Sequence, residues 1–162
     1  MAYQRQNAVN YAHQWAFSRN PKYLDFANLG GDCTNFISQC LLAGGAPMDY
    51  RHTYGWYYNS ADDRAPAWTS AHYLHQYLLR KDRKKGVYAD EIPLSELEIG
   101  DITQITFDGI RYTHSQIVVA VGYPVTLEHI LIATHDEDSD YRPLQSYTLA
   151  KKFRFLRIGI NY

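Results

Sequence analysis

The stretch Gly30-Gly31-Asp32-Cys33-Thr34-Asn35-Phe36-Ile37-Ser38-Gln39-Cys40 constrains this chain more than any other. A glycine pair and an aspartate lead straight into an apolar repeat. Phe36, Ile37, Cys40 and Leu41 fall at i, i+1, i+4 and i+5, one face of a 3.6-residue period. The pattern predicts a helix from Cys33 to about Ala43, capped by Asp32 or the neighbouring backbone and ended by Gly44-Gly45. Cys33 then lies in the first helical turn. Unpaired N–H groups and the positive end of the dipole favour a thiolate there, and such placement lowers a cysteine pKa from about 8.5 to roughly 3.5–7.5. Cys40 has no such advantage, so the expected nucleophile is Cys33.

Helices surround this segment and strands follow it. Residues 1–18 read as an amphipathic helix, with Ala8, Tyr11, Ala12, Trp15 and Ala16 on one stripe and Asn20-Pro21 as its stop. Residues 46–67 show no sustained period and read as a long ordered loop rich in aromatics. Thr69 or Ser70 caps a third helix carrying Ala71, Leu74, Tyr77 and Leu78. The basic run Arg80-Lys81-Asp82-Arg83-Lys84-Lys85 closes it, as a solvated helix end or as a docking site for an anionic wall polymer. From Val87 the pattern turns to strands, with Ile92-Pro93-Leu94-Ser95-Glu96-Leu97 as a turn-like lead-in. Strands are expected over residues 101–107, 110–121, 128–135 and 153–160, with Asp108-Gly109 as a hairpin turn. Helices first and an antiparallel sheet afterward mean an α+β fold with the helices packed on the sheet.

The 162 residues suit one domain, residues 1–162. A net charge of −1 argues against a nucleic-acid partner, and 46% hydrophobic residues argue against disorder. Cys33 and Cys40, seven apart on one helix, should be roughly 10 Å apart. A disulfide needs about 4.4–6.8 Å between Cα atoms, so both are expected as free thiols. Fifteen tyrosines offer flat amphipathic contact area, either for a groove that takes sugar or peptide or for ordinary packing. No apolar N-terminal segment resembles a signal peptide and no run approaches membrane-spanning length. An exported form would carry its targeting segment outside this chain. A monomer is expected.

A cysteine nucleophile needs a base brought close by the fold rather than by sequence. His114 sits inside the strand-forming run Tyr112-Thr113-His114-Ser115-Gln116-Ile117-Val118 and is the expected base. His135, at the end of the next strand, could orient its ring as the third member of a triad, and Asp136 or Asp138 could do so instead. His72 and His75 lie at i, i+3, but no third ligand and no HExxH pattern accompanies them. No metal site and no cofactor are expected. His13, His52 and His129 carry no context. The Cys33 N–H would hold the oxyanion, with Asp32 positioning that backbone. Trp56, Tyr57 and Trp68 are candidates for the walls of a substrate groove.

Asp32-Cys33-Thr34-Asn35-Phe36-Ile37-Ser38-Gln39 resembles the nucleophile segment of the amidase-like domain family of Gram-positive bacteria and their phages, itself related to the NlpC/P60 and CHAP cysteine hydrolases of the papain-like superfamily. The likeness extends over Tyr11-Ala12-His13-Gln14-Trp15-Ala16, Arg19-Asn20-Pro21-Lys22-Tyr23, Gly100-Asp101, His114-Ser115 and Ala133-Thr134-His135. It implies a papain-like fold, with Cys33 as nucleophile, His114 as the histidine opening the following strand, and His135 as the third polar position. It also implies hydrolysis of an amide bond in peptidoglycan at the bacterial cell wall, either the N-acetylmuramoyl–L-alanine link or a stem-peptide bond. Two other classes compete: a catalytically silent wall-binding module, and a cysteine acyltransferase or deamidase using the same dyad.

Overall fold

Helix α2 (Cys33–Ala43) is the axis of the fold, because every side chain from Cys33 to Leu41 is buried. A computed structural model describes residues 2–162. The apolar face read from the sequence enters the main core with Ile102, Ile117, Val119 and Ala133. The opposite face is polar and equally buried, and its groups are partnered. Trp56 Nε1 donates to Ser38 Oγ at 3.0 Å, and Trp68 Nε1 donates to Asn35 Oδ1 at 3.0 Å. Ser38 Oγ donates to the Trp68 carbonyl at 2.9 Å, and Tyr11 Oη donates to Gln39 Oε1 at 2.6 Å. A buried polar group without a partner costs about 1–3 kcal/mol, so this face requires a covering layer of matched donors.

The aromatic segment supplies that layer. Where the sequence suggested a long loop over residues 46–67, the chain forms a short hairpin of β1 (Tyr58–Ser60) and β2 (Asp63–Arg64), then a one-turn helix α3 (Pro66–Thr69). Elements this short carry no readable period. The rings of Trp56 and Trp68 pack at a tilt of 34° with 4.8 Å between centroids, and both are fully buried.

Helix α1 (Arg5–Trp15) is shorter than the expected span of residues 1–18, of which Met1 lies outside the described residues. It buries Ala8, Val9 and Ala12 against the core. Helix α4 (Ala71–Leu78) follows the predicted spacing, and Ser70 Oγ accepts from the Tyr73 N–H. The basic run beyond it is not simply a solvated helix end. Arg80 Nη1 donates to the Val87 carbonyl at 2.7 Å, and Arg83 Nη2 donates to the Ala89 carbonyl at 2.8 Å. These arginines tie α4 to strand β3 (Gly86–Ile92), while Lys81, Lys84 and Lys85 remain exposed.

The sheet completes an α+β architecture. Its other strands are β4 (Ile102–Thr106), β5 (Tyr112–Val121), β6 (Ile130–Thr134), β7 (Ser139–Pro143) and β8 (Lys152–Asn161). The order is β3-β8-β4-β5-β6-β7 and every pairing is antiparallel. Four of the six strands fall where the sequence placed them. The edge strand β7 was hidden in the acidic stretch after residue 135. The helices α1, α2 and α4 pack on one face. On the other face Leu97, Ile105, Val118, Ile130, Ile132, Leu144 and Tyr147 form a second core. Both Cys33 and Cys40 are free thiols. Among the described residues no helix is long and apolar enough to cross a membrane.

Candidate active site

Cys33 opens α2 where the helix meets strand β5. Its Sγ lies 3.8 Å from the Thr113 carbonyl and 3.8 Å from Thr34 Oγ1, and the residue is only 6% exposed. Thr34 in turn meets Ser115 of β5, Oγ1 to Oγ, at 3.0 Å. Cys33 lines a cleft of about 320 Å³ together with Gly31, Arg64, Ser70, His72, Tyr112 and Thr113. A second cleft of about 440 Å³ adjoins it at Thr113 and is lined by His114, Asp136, Glu137, Arg142, Tyr147 and Leu149. The expected nucleophile and the expected base thus open onto neighbouring clefts that share one residue.

The start of α2 is already occupied by a carboxylate. Asp136 Oδ1 and Oδ2 accept from the Asp32 N–H at 3.0 and 2.9 Å, and Oδ2 accepts from the Cys33 N–H at 3.2 Å. The expected electrostatics of Cys33 are reversed, chiefly by burial, which pushes its thiol up to about 11. The backbone hydrogen bond at Ser115 opposes this, and the Asp136 carboxylate adds a smaller push upward than that bond takes away. The helix terminus favours an anion, but the anion it holds is Asp136. The Cys33 N–H reserved for an oxyanion is engaged by the same group.

Asp32 does not cap the helix with its side chain. Fully buried, it accepts from the Phe26 N–H at 2.8 Å and from Asn35 Nδ2 at 2.9 Å through Oδ1. Its Oδ2 lies 2.5 Å from Nδ1 of His135. The second ring nitrogen of His135 lies 2.8 Å from the Trp15 carbonyl, and the ring stacks on Phe36 at 4.1 Å. Arg19 closes the cluster: its guanidinium donates to both oxygens of Asp138, at 2.9 and 3.0 Å. This constellation staples the end of α1 and the end of β6 to the start of α2.

His114 stands apart from that cluster. Successive side chains on a strand alternate between faces. Ser115 turns toward α2, so His114 turns away with its cross-strand partner Ile105, which belongs to the second core. Its Nε2 lies 3.3 Å from Tyr147 Oη. Burial holds the imidazole down, at about 4, although Asp136 pulls it upward. Among the described residues His114 makes no hydrogen bond to Cys33 or to His135. The expected triad order, with His135 orienting His114, is therefore replaced by an Asp32–His135 pair on one face and a His114–Tyr147 contact on the other.

The predicted groove walls are also corrected. Trp56 and Trp68 are fully buried and committed to packing around α2, and Tyr57 is buried with its ring against Tyr50. His75 Nε2 lies 3.0 Å from Glu91, and His72 Nε2 lies 3.1 Å from Gln76 Nε2. No group of three His, Cys, Asp or Glu side chains among the described residues could hold a metal ion. Sequence reasoning missed Arg19, Tyr147 and the hold of Asp136 on α2. For Asp136 a weak signal existed, an acidic run directly after a predicted strand. Asp136 and Glu137 both adopt φ 62°, a left-handed turn that aspartate tolerates better than most residues.

Comparison with known proteins defines the family. The chain matches the family described as "Putative amidase domain" over residues 2–158 and belongs to it. It is also 40% identical over 122 residues to the uncharacterized protein YhbB of Bacillus subtilis (strain 168). That match covers 73% of this chain and 37% of YhbB, so the chain spans well under half the length of this relative. No solved structure matches the chain.

Proposed function

We propose that this chain is a cysteine-dependent hydrolase of amide bonds in bacterial peptidoglycan, with Cys33 as nucleophile and His114 as its base. The observation that carries the proposal is the position of Cys33 at the N-terminus of the buried helix α2, beside the clefts that meet at Thr113. Membership of an amidase family supports amide hydrolysis. The peptidoglycan substrate, action at the cell wall and kinship with NlpC/P60 and CHAP hydrolases rest on the resemblance of residues 32–39 and the segments around them.

In this mechanism Cys33 Sγ attacks the amide carbon as its proton passes to His114. Backbone N–H groups at the start of α2 stabilise the oxyanion. His114 then protonates the leaving amine, and water, with His114 as base, hydrolyses the thioester. Neutral imidazole and thiol are the starting protonation states, consistent with burial raising Cys33 and lowering His114. No cofactor is invoked. The His114 ring must approach the thiol when substrate bridges the two clefts.

One observation favours a second reading, a catalytically silent wall-binding module. The thiol is raised and has no imidazole in hydrogen-bond reach among the described residues. Mass spectrometry of soluble fragments from Gram-positive sacculi, treated with the native chain or with Cys33→Ala, separates the two. Glycan strands freed from intact stem peptides, seen only with the native cysteine, identify an N-acetylmuramoyl-L-alanine amidase, and cleaved stem peptides identify an endopeptidase. Identical digests from both proteins would end the hydrolase proposal. Sacculus binding without fragments would favour the silent module.

A further inference from the structure

Two backbone N–H groups converge at the start of α2, and one carboxylate takes both. Donation from Asp32 and Cys33 to Asp136, at 2.9–3.2 Å, is the geometry that an oxyanion formed on a carbonyl attacked by Cys33 would need. The Asp32 N–H would be the second donor of such a site, beside the Cys33 N–H. Gly31 makes room for the occupant: a Cβ built there would lie 2.7 Å from Asp136 Oδ2. The carboxylate arrives on the left-handed turn between β6 and β7.

We infer that Asp136 is the resting occupant of the oxyanion site, and that Cys33 acts as a nucleophile only after the β6–β7 turn withdraws this carboxylate. The inference deepens the hydrolase reading and rests on Cys33 being the nucleophile. A substrate carbonyl oxygen competes for the same two N–H groups and so displaces the occupant. The withdrawn carboxylate has cationic neighbours within its own cleft, namely Arg142, and His114 once it has taken the thiol proton. Asp136 is a positioning residue in this scheme: its departure completes the site.

Alkylation by iodoacetamide, read at Cys33 by peptide mapping, tests the thiol half without any substrate. Asp136→Asn and Asp136→Gly remove the charge with residues that tolerate φ 62°. At pH 8 each should alkylate about three- to tenfold faster than the native chain, because below the thiol pKa the rate follows the thiolate fraction. A small aldehyde, N-acetyl-alaninal, tests the oxyanion half. The Cys33 S–H adds across its carbonyl: the S–C bond forms as the C=O π bond breaks, and the proton passes to the new hydroxyl oxygen. With the two N–H groups vacated, the aldehyde Kd should fall about tenfold in Asp136→Gly, the equivalent of one freed hydrogen bond. Faster alkylation without tighter aldehyde binding would overturn the oxyanion-site assignment. Unchanged rates in folded variants would overturn the whole inference. So would failure of both variants to fold, since Asp136 would then be a structural cap. Neither assay uses peptidoglycan, so undigested sacculi would remove the proposed substrate and leave this inference standing.

Discussion

The carboxylate of Asp32 meets the imidazole of His135 at 2.5 Å, and water is excluded from both. Adjacent to the nucleophile in sequence, Asp32 nevertheless turns its side chain away from Cys33 and into the junction of α1, α2 and β6. Its other oxygen holds the Phe26 N–H and the Asn35 amide. The pair is a junction, and its loss should read out in stability before chemistry.

Breaking a buried pair by removing one partner costs about 3–5 kcal/mol, because the other is left uncompensated. Asp32→Ala and His135→Ala should each lower unfolding stability by roughly that amount in urea titrations. Residual hydrolysis should track the folded fraction. A His135 variant that stays fully folded yet loses hydrolysis would return His135 to the chemistry.

Trp68 offers a second check on what is core and what is groove. Fully buried, it donates from Nε1 to Asn35 on the polar face of α2. Trp68→Ala should cost about 3–5 kcal/mol through cavity formation and the orphaned Asn35 carbonyl. Tight binding of wall fragments should be unaffected in whatever fraction remains folded. A variant of native stability with weakened fragment binding would put Trp68 back in the groove.

Long-period patterns were legible in the sequence: α2 and α4 fall within a residue or so of their expected positions, as do the cores of strands β4, β5, β6 and β8. Elements too short to complete a period were not, which is why β1, β2 and α3 read as loop. The polar face of α2 illustrates a different limit. Thr34, Asn35, Ser38 and Gln39 look solvent-facing by composition, and only the fold reveals the tryptophans and the tyrosine that satisfy three of them. For the candidate site, Cys33 was legible because a helix start follows from local pattern. The partner of His135 was not, since it depends on which face each strand end presents. Burial decided the sign at Cys33: the helix terminus does hold an anion, but Asp136, more than a hundred residues away, supplies it.

His114 should make stability pH-dependent. Its ring falls from an ordinary value of 6.5 to about 4 on burial, so the folded state holds it neutral while the unfolded chain binds a proton. Between those values the unfolded state carries more protons, and stability rises with pH. The stability contributed is fully present above about 6.5 and is lost as pH falls toward 4, on the order of 3 kcal/mol in all. His114→Gln should flatten this part of the urea-stability profile between pH 4 and 6.5. An identical slope in the variant would mean that another group carries it.

Cys40 tests the choice of thiol. It is fully buried in the main core, seven residues along α2 from Cys33, and burial pushes its thiol well up. Cys40→Ala should cost about 1 kcal/mol through the small cavity left behind and should leave hydrolysis per folded molecule unchanged. A comparable loss of hydrolysis in Cys40→Ala and Cys33→Ala, with both variants folded, would transfer the nucleophile to Cys40.

The two glycines before Cys33 should differ in their tolerance of a side chain. Gly30 and Gly31 both have positive φ, 101° and 112°, so alanine strains the backbone at either position. At Gly30 an added Cβ meets nothing within 4 Å, whereas at Gly31 it meets Asp136 Oδ2 at 2.7 Å. Gly30→Ala should therefore cost about 1 kcal/mol, and Gly31→Ala about 1–3 kcal/mol more through displacement of the carboxylate. The excess belongs to the contact with Asp136, so it should shrink in an Asp136→Gly background. A double-mutant cycle measured by urea unfolding isolates it, with a coupling of about 1 kcal/mol or more expected between positions 31 and 136 and none between 30 and 136. Equal costs at the two glycines, with no coupling to position 136, would mean that the carboxylate does not sit against Gly31 in solution.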